Sequence, residues 1–354
     1  MSIAFRGITK RYGATTLFDG LDLAIEPETL TVFCGPPKSG KSVLFRLVVG
    51  LEAPDAGRIE LAGEDVTDLP PARRRVGYVP QSFALYPHLT VAANIGYPMS
   101  LAGADKQETA RRVDRAAGIL SITHLLKKTP DQLSGGEKQR VALARGLLKD
   151  ASVFILDDPL VGLDYKLREQ LMDDLKALRA ELRATFLYGT SDSLEALTMA
   201  DRLVVLDDGR VVQHDAVEAV YDEPVHARSM ALVGFPQANL IEGTLANGVV
   251  EAGPFRFRVA ANGPTRGIVA GIRPESIRLG GSEGIGGSGR VRLVEDLGGE
   301  YVVYVDCGAL TLTTAQPVRG PAPAYASTTA FAIDPAEIVV FDAQTGDRLG
   351  RGER

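Results

Sequence analysis

Short apolar runs punctuate the first two thirds of the chain: "LTVFC", "SVFIL", "TFLYG" and "RLVVL". Each has the length of a buried strand, and the stretches between them carry helical spacing. This predicts a mixed or parallel sheet flanked by helices up to about residue 235. The clearest helix lies after Asp164, where Leu167, Leu171, Leu175, Leu178 and Leu182 form one apolar stripe with charged residues between, a core-packing pattern. After "GFPQANL" the helical period fades, and "RFRVA", "VRLVEDL" and "YVVYVDC" stand between Gly, Pro and Asp, predicting a small β-domain. The glycine-rich "GGSEGIGGSG", residues 280–289, has no Lys and no helical pattern after it, and predicts a surface loop, not a phosphate site.

Length agrees with two domains, since 354 residues exceed one ordinary core. The expected division is 1–235, with a helical subdomain at about 85–150, and 236–354. The 45% hydrophobic and 24% charged content is that of a globular protein, and 39 basic against 45 acidic residues leave no electrostatic footprint for nucleic acid. Cys34 and Cys307 are far apart, so no disulfide framework is expected and a reducing compartment fits. "MSIAFRGITKRYG" lacks the apolar core of a signal peptide, and no run approaches the roughly 18 apolar residues of a membrane span. Membrane association is therefore expected to go through a partner.

Candidate chemistry begins where the strand "LTVF" meets "CGPPKSGKSVLF". Gly35, Gly40, Lys41 and Ser42 satisfy G-x-x-x-x-G-K-[ST] between a strand and a helix. Backbone N–H groups and the positive helix end cradle phosphates there, Lys41 reaches the β- and γ-phosphates, and Ser42 offers a hydroxyl to Mg²⁺. The predicted nucleotide-binding set includes Pro36, Pro37, Lys38, Ser39 and Val43. The interior is unusual, because Pro37 has no N–H to donate and Lys38 adds a second cation. A second cluster lies in "FILDDPLVGLD", whose short apolar run predicts a strand delivering Asp157 and Asp158 at its carboxyl end, where open α/β sheets hold ligands.

"LSGGEKQRVALARGLL", residues 133–148, opens an amphipathic helix with Ser134, Gly135, Gly136 and Glu137. With this stretch the chain resembles the ATP-binding-cassette transporter ATPases, matching four of five positions of their LSGGQ-type signature. The resemblance implies a P-loop α/β cassette with a helical subdomain, binding ATP and Mg²⁺, and a signature that contacts ATP held by a second subunit. It also implies that Tyr12 stacks on adenine, that Gln81 touches Mg²⁺ and the attacking water, that Asp157 holds Mg²⁺ with Ser42, and that Asp164 closes the D-loop.

Two positions depart from the family pattern. Asp158 stands where a catalytic glutamate is usual, and Ser191 stands where a switch histidine is usual. The aspartate is about 1.5 Å shorter in reach, and serine is never cationic near neutral pH. His88, His124, His214 and His226 match no motif position and are expected to be structural or surface residues. The weakened site beside a nearly intact signature implies pairing with a different, catalytically complete ATPase subunit. The alternative is a nucleotide-binding structural or regulatory subunit with negligible hydrolysis.

"GIRPESIRL" and "FAIDPAEIVVFDAQTGDRL" resemble the C-terminal OB-like (TOBE/MOP-type) domain of carbohydrate importer ATPases of the maltose and glycerol-phosphate type. This implies transmembrane permease partners, an extracytoplasmic solute-binding protein in the complex, and a peripheral position on the cytoplasmic face of the inner membrane.

Overall fold

The computed structural model describes residues 2–353 apart from Asn262, Gly263 and Ser282, without the side chains of Leu178, Ala180 and Glu181. The chain forms two compact units, Met1–Val217 and Glu218–Arg354. The first contains a six-stranded sheet in the order Arg210–Ala216, Arg202–Asp207, Leu30–Cys34, Thr185–Thr190, Val153–Asp157, Val76–Val79. All neighbours are parallel except the pair Arg210–Ala216 and Arg202–Asp207. Leu30–Cys34 and Val153–Asp157 are buried at every position, as strands covered on both faces require. The carboxyl ends of the parallel strands Leu30–Cys34, Val153–Asp157, Thr185–Thr190 and Val76–Val79 deliver Gly35, Asp158, Ser191 and the segment carrying Gln81, respectively, to one edge of the sheet.

A four-stranded antiparallel sheet, ordered Thr15–Ile25, Ile3–Tyr12, Ala56–Leu61, Glu64–Asp65, packs into the same apolar cluster as the helix Lys41–Val49. That helix stops at Gly50, whose φ of 82° ends it in the left-handed region. Three helices, Val91–Leu101, Lys106–Ile119 and Gly135–Leu147, occupy the region expected to be helical. The leucine-striped helix spans Tyr165–Leu182. Leu171 and Leu175 are buried at 0% and 3% exposure, each worth roughly 1.5–3 kcal/mol relative to exposure. Leu167 is half-buried, Leu182 is exposed where the helix runs out at Arg183, and the side chain of Leu178 lies outside the described residues.

The second unit is a β-structure of two antiparallel sheets around one apolar cluster that includes Ile241, Phe255, Val303, Phe331 and Val340. One sheet is ordered Phe255–Arg258, Val249–Ala252, Asn239–Ala246, Arg266–Ile272, Val339–Asp342, Arg348–Arg351; the other Arg278–Leu279, Thr328–Ile333, Ile285–Asp296, Glu300–Cys307, Leu310–Pro317. Two sequence expectations meet a different arrangement here. Residues 285–289 are not loop but the first part of the strand Ile285–Asp296, paired from Ile285↔Ile333 to Gly289↔Thr329. Glycines suit that ladder because a Cβ on Gly286 would stand 1.9 Å from the Phe331 carbonyl oxygen; Ser282, in the same quoted stretch, lies outside the described residues. The division expected after residue 235 falls at 217/218. Arg273 accounts for this, covering the Tyr221 ring at 3.9 Å and donating to the carbonyls of Tyr221 (2.9 Å) and Val233, so the intervening helix Ala227–Leu232 belongs with the β-unit.

Candidate functional site

A cavity of about 520 Å³ opens at the carboxyl edge of the six-stranded sheet, lined by Leu17, Pro37 to Val43, Gln81, Asp158, Val161 and Ser191. Gly35 begins the loop because a Cβ there would lie 2.0 Å from the Leu206 carbonyl oxygen. Gly40 ends it at φ 111°, capping the helix Lys41–Val49 with no side-chain bond and no acidic residue in the first turn. The positive helix end thus opens on the cavity with no acidic residue in its own first turn. Lys41 donates to the carbonyls of Gly35 (2.7 Å) and Pro36 (3.1 Å), and burial pushes its pKa down, against the attraction of Asp158. Lys38 is exposed at φ 71°, a left-handed conformation that strains a side chain-bearing residue.

Below the loop, Ser42 Oγ donates to Asp157 Oδ1 at 2.9 Å and the Tyr78 hydroxyl reaches Oδ2 at 3.4 Å. Asp157 is 2% exposed, and burial raises its pKa against those two bonds and the nearby Arg46 and Lys41. Asp158 has φ 47°, its N–H donates to the Gly189 carbonyl at 3.0 Å, and it lines the cavity together with Ser191. Burial raises its pKa too, opposed by Lys41. The residues fit a nucleotide phosphate chain with a divalent cation. The uncapped helix start and Lys41 suit the anion, Ser42 with Asp157 and the neighbouring Gln81 suit the cation, and the hydroxyl of buried Ser39 has no hydrogen-bond partner among the described residues. A nucleotide held there would supply a phosphoanhydride, and the chain supplies the cradle.

The remaining predicted residues are distributed elsewhere. Tyr12 does not line the cavity: its hydroxyl donates to Glu52, which pairs at 2.6 Å with Arg46 of the loop helix, while Lys10 stands 5.3 Å from its ring centre. Ser134 caps the helix Gly135–Leu147 in a reciprocal pair, its Oγ accepting the Glu137 N–H at 3.3 Å and the Glu137 carboxylate accepting the Ser134 N–H at 2.7 Å. None of Ser134, Gly135, Gly136 and Glu137 lines the cavity. The signature helix instead joins the D-loop stretch, with buried Gln139 donating to the Pro159 carbonyl, and Asp164 caps the helix Tyr165–Leu182 by accepting the Leu167 N–H at 3.0 Å.

The ABC transporter family matches residues 18–161, and the TOBE domain family matches residues 270–341. The sn-glycerol-3-phosphate import ATP-binding protein UgpC 1 of Rhizobium johnstonii is 38% identical over 97% of this chain and 95% of its own. The chain belongs to the ABC transporter family of ATP-binding subunits. The diacetylchitobiose uptake system ATP-binding protein MsiK of Streptomyces coelicolor is 35% identical over 98% of this chain and 99% of its own. Among solved structures, the dimeric post-hydrolysis state of an ATP-binding cassette bound to ADP and Pi matches with a TM-score of 0.56 at 28% identity, covering 61% of this chain and 98% of that one. The first unit of this ABC subunit is thus the ATP-binding cassette, and the second carries the TOBE domain.

Sequence reasoning missed Leu17, Val161 and Tyr78 around the site; an apolar residue on a cavity wall and a tyrosine in a strand carry no spacing signal. The histidines lie outside the cavity. His226 caps the helix Ala227–Leu232, Nδ1 accepting the Arg228 N–H at 2.9 Å; burial lowers the pKa of His214; His88 stands 6.3 Å from the Tyr86 ring. Among the described residues no helix is long and apolar enough to cross a membrane.

Proposed function

We propose that the chain is the energy-coupling ATPase subunit of an importer for a carbohydrate or polyol, and that it works beside a second, catalytically complete cassette. The observation that carries the unequal pairing is the contrast between the chain's two ATP-facing parts. Its own cavity has the short Asp158 and Ser191 at the hydrolytic positions, whereas its signature helix, lying outside that cavity, keeps a fully bonded cap. A signature outside its own cavity is available to nucleotide held by another subunit. The names of relatives that import glycerol phosphate and diacetylchitobiose support a sugar, glycerol or glycerol-phosphate as solute.

In this reading Gly35 to Val43 hold the phosphates and Tyr12 lies at the adenine end. Ser42, Asp157 and Gln81 bind Mg²⁺, and Asp158 orients water or accepts its proton with Ser191 beside it. ATP closes the pair of cassettes, and hydrolysis with phosphate release reopens them, moving permease subunits and serving an extracytoplasmic solute-binding protein. A groove of about 590 Å³ between Val91–Leu101 and Lys106–Ile119, lined by Leu89, Gly96, Tyr97 and Ser100 among others, offers the permease a face, which would hold the chain peripherally on the cytoplasmic side of the inner membrane. The test is isolation of the tagged chain from native membranes in mild detergent. Permeases with a second, dissimilar cassette in equal amount support the proposal; a complex with two copies of this chain alone contradicts the pairing. The shortened Asp158 also favours a second reading, a subunit that holds ATP without hydrolysing it, for which single-turnover hydrolysis at this chain's site would be undetectable.

A further inference from the structure

The turn that carries Ser191 is braced by a buried carboxylate lying outside the phosphate cavity. Glu195, on the helix Ser193–Met199, is 6% exposed and accepts the Tyr188 hydroxyl at 2.9 Å and the Thr190 hydroxyl at 2.8 Å. Arg168 stands 3.5 Å from its other oxygen and 2.8 Å from Asp192. Thr190 Oγ1 also accepts the Asp192 N–H at 3.0 Å, so one hydroxyl links both sides of Ser191. Held between them is the Ser191 peptide, which lines the phosphate cavity together with Asp158. Asp158 cannot relax freely, since its own N–H is taken by Gly189 at φ 47°. Burying a carboxylate is unfavourable unless it is bonded, and burial does push Glu195 upward in pKa while Thr190, Tyr188 and Arg168 oppose it. Arg168 belongs to the helix begun by Asp164, so the same carboxylate ties the D-loop helix to the turn.

We propose that Glu195 is a positioning residue for ATP hydrolysis: through Thr190 it fixes the Ser191 peptide beside Asp158 on the cavity wall, and through Arg168 it links that peptide to the D-loop helix. This rests on the reading of Asp158 as the group that acts on water. Losing the brace lets the carboxylate wander by a fraction of the roughly 1 Å that costs about 100-fold in rate.

Amide hydrogen exchange is measured on the full chain without nucleotide, and single-turnover ATP hydrolysis at this chain's site is measured in the assembled transporter. Glu195→Ala should speed exchange of the Asp192 and Asp158 amides about tenfold or more, leaving the strand Leu30–Cys34 unchanged, and lower kcat roughly 10- to 100-fold with KM for ATP within about twofold. Glu195→Gln, which keeps an acceptor for both hydroxyls, should recover most of both. Uniform acceleration across the unit, or unchanged exchange at Asp192, overturns the proposal. Should the alanine variant fail to fold, Thr190→Val removes the linking hydroxyl at nearly constant shape and must give the same selective pattern; if it does not, the proposal is overturned. Asp158→Asn separates the two ideas: lost turnover there without selective exchange in Glu195→Ala rejects the brace alone, and unchanged turnover there rejects the role of Asp158 and with it the catalytic purpose of the brace.

Discussion

Lengthening Asp158 tests how far its short side chain limits this site. Asp158→Glu adds one methylene, about 1.5 Å of reach by bond length. The carboxylate already sits at the wall of an open cavity of about 520 Å³, so the added length extends toward Ser42, Lys41 and Gln81 without meeting a packed core. A misplacement of about 1 Å is worth on the order of 100-fold, and a positioned base about 100- to 10,000-fold. A gain of roughly 10- to 100-fold in single-turnover hydrolysis at this site is therefore expected. The backbone opposes the change: φ is 47°, and aspartate tolerates the left-handed region better than glutamate. A penalty of about 1 kcal/mol lowers the Tm of a unit this size by roughly 2–4 °C. The assay is quench-flow hydrolysis of bound ATP beside a thermal melt. Unchanged or slower hydrolysis with ATP affinity preserved would refute the argument from reach.

Three further outcomes follow from the geometry. Lys41→Ala removes the ammonium now held by the Gly35 and Pro36 carbonyls; a charge-assisted bond is worth about 1.5–3 kcal/mol, so ATP binding by titration calorimetry should weaken about 10- to 100-fold. Lys38→Gly relieves the strain at φ 71° and should raise stability by about 1 kcal/mol in urea unfolding. Glu137 has its pKa held below the usual 4.5, foremost by the Ser134 N–H, so its contribution to stability is full above that value and fades as pH falls through the lowered one; Glu137→Gln should keep the cap and remove that part of the acid dependence, read as unfolding midpoints from pH 6 to pH 3.

The cassette's site was legible in the sequence because its chemistry is carried by residue type at fixed spacing. Gly35, Gly40, Lys41 and Ser42 come from one turn, and Asp157 and Asp158 from one strand end, so local order places them on the sheet edge. Bonds between distant segments were not legible: the bond of Asp158 N–H to the Gly189 carbonyl and the placing of Ser191 beside Asp158 require the strands Val153–Asp157 and Thr185–Thr190 to lie side by side, a pairing that no spacing states. Tyr12 shows the same limit, since its place is set by Glu52 and Arg46, far along the chain. The strand at residues 285–289 was missed because glycines signal turns in isolation, whereas here they admit the close approach of the strand Thr328–Ile333. The boundary at 217/218 was missed because helical periodicity continues past it, while Arg273 draws the later helix into the β-unit.

The central claim is that this chain contributes the weaker of two ATP sites. The direct measurement is the steady-state ATPase rate of the assembled transporter, first with Asp158→Asn in this chain and then with the matching carboxylate neutralised in the other cassette. The account predicts a small loss from the first change and near-complete loss from the second. Equal losses from the two changes, or abolition of activity by Asp158→Asn alone, would contradict it.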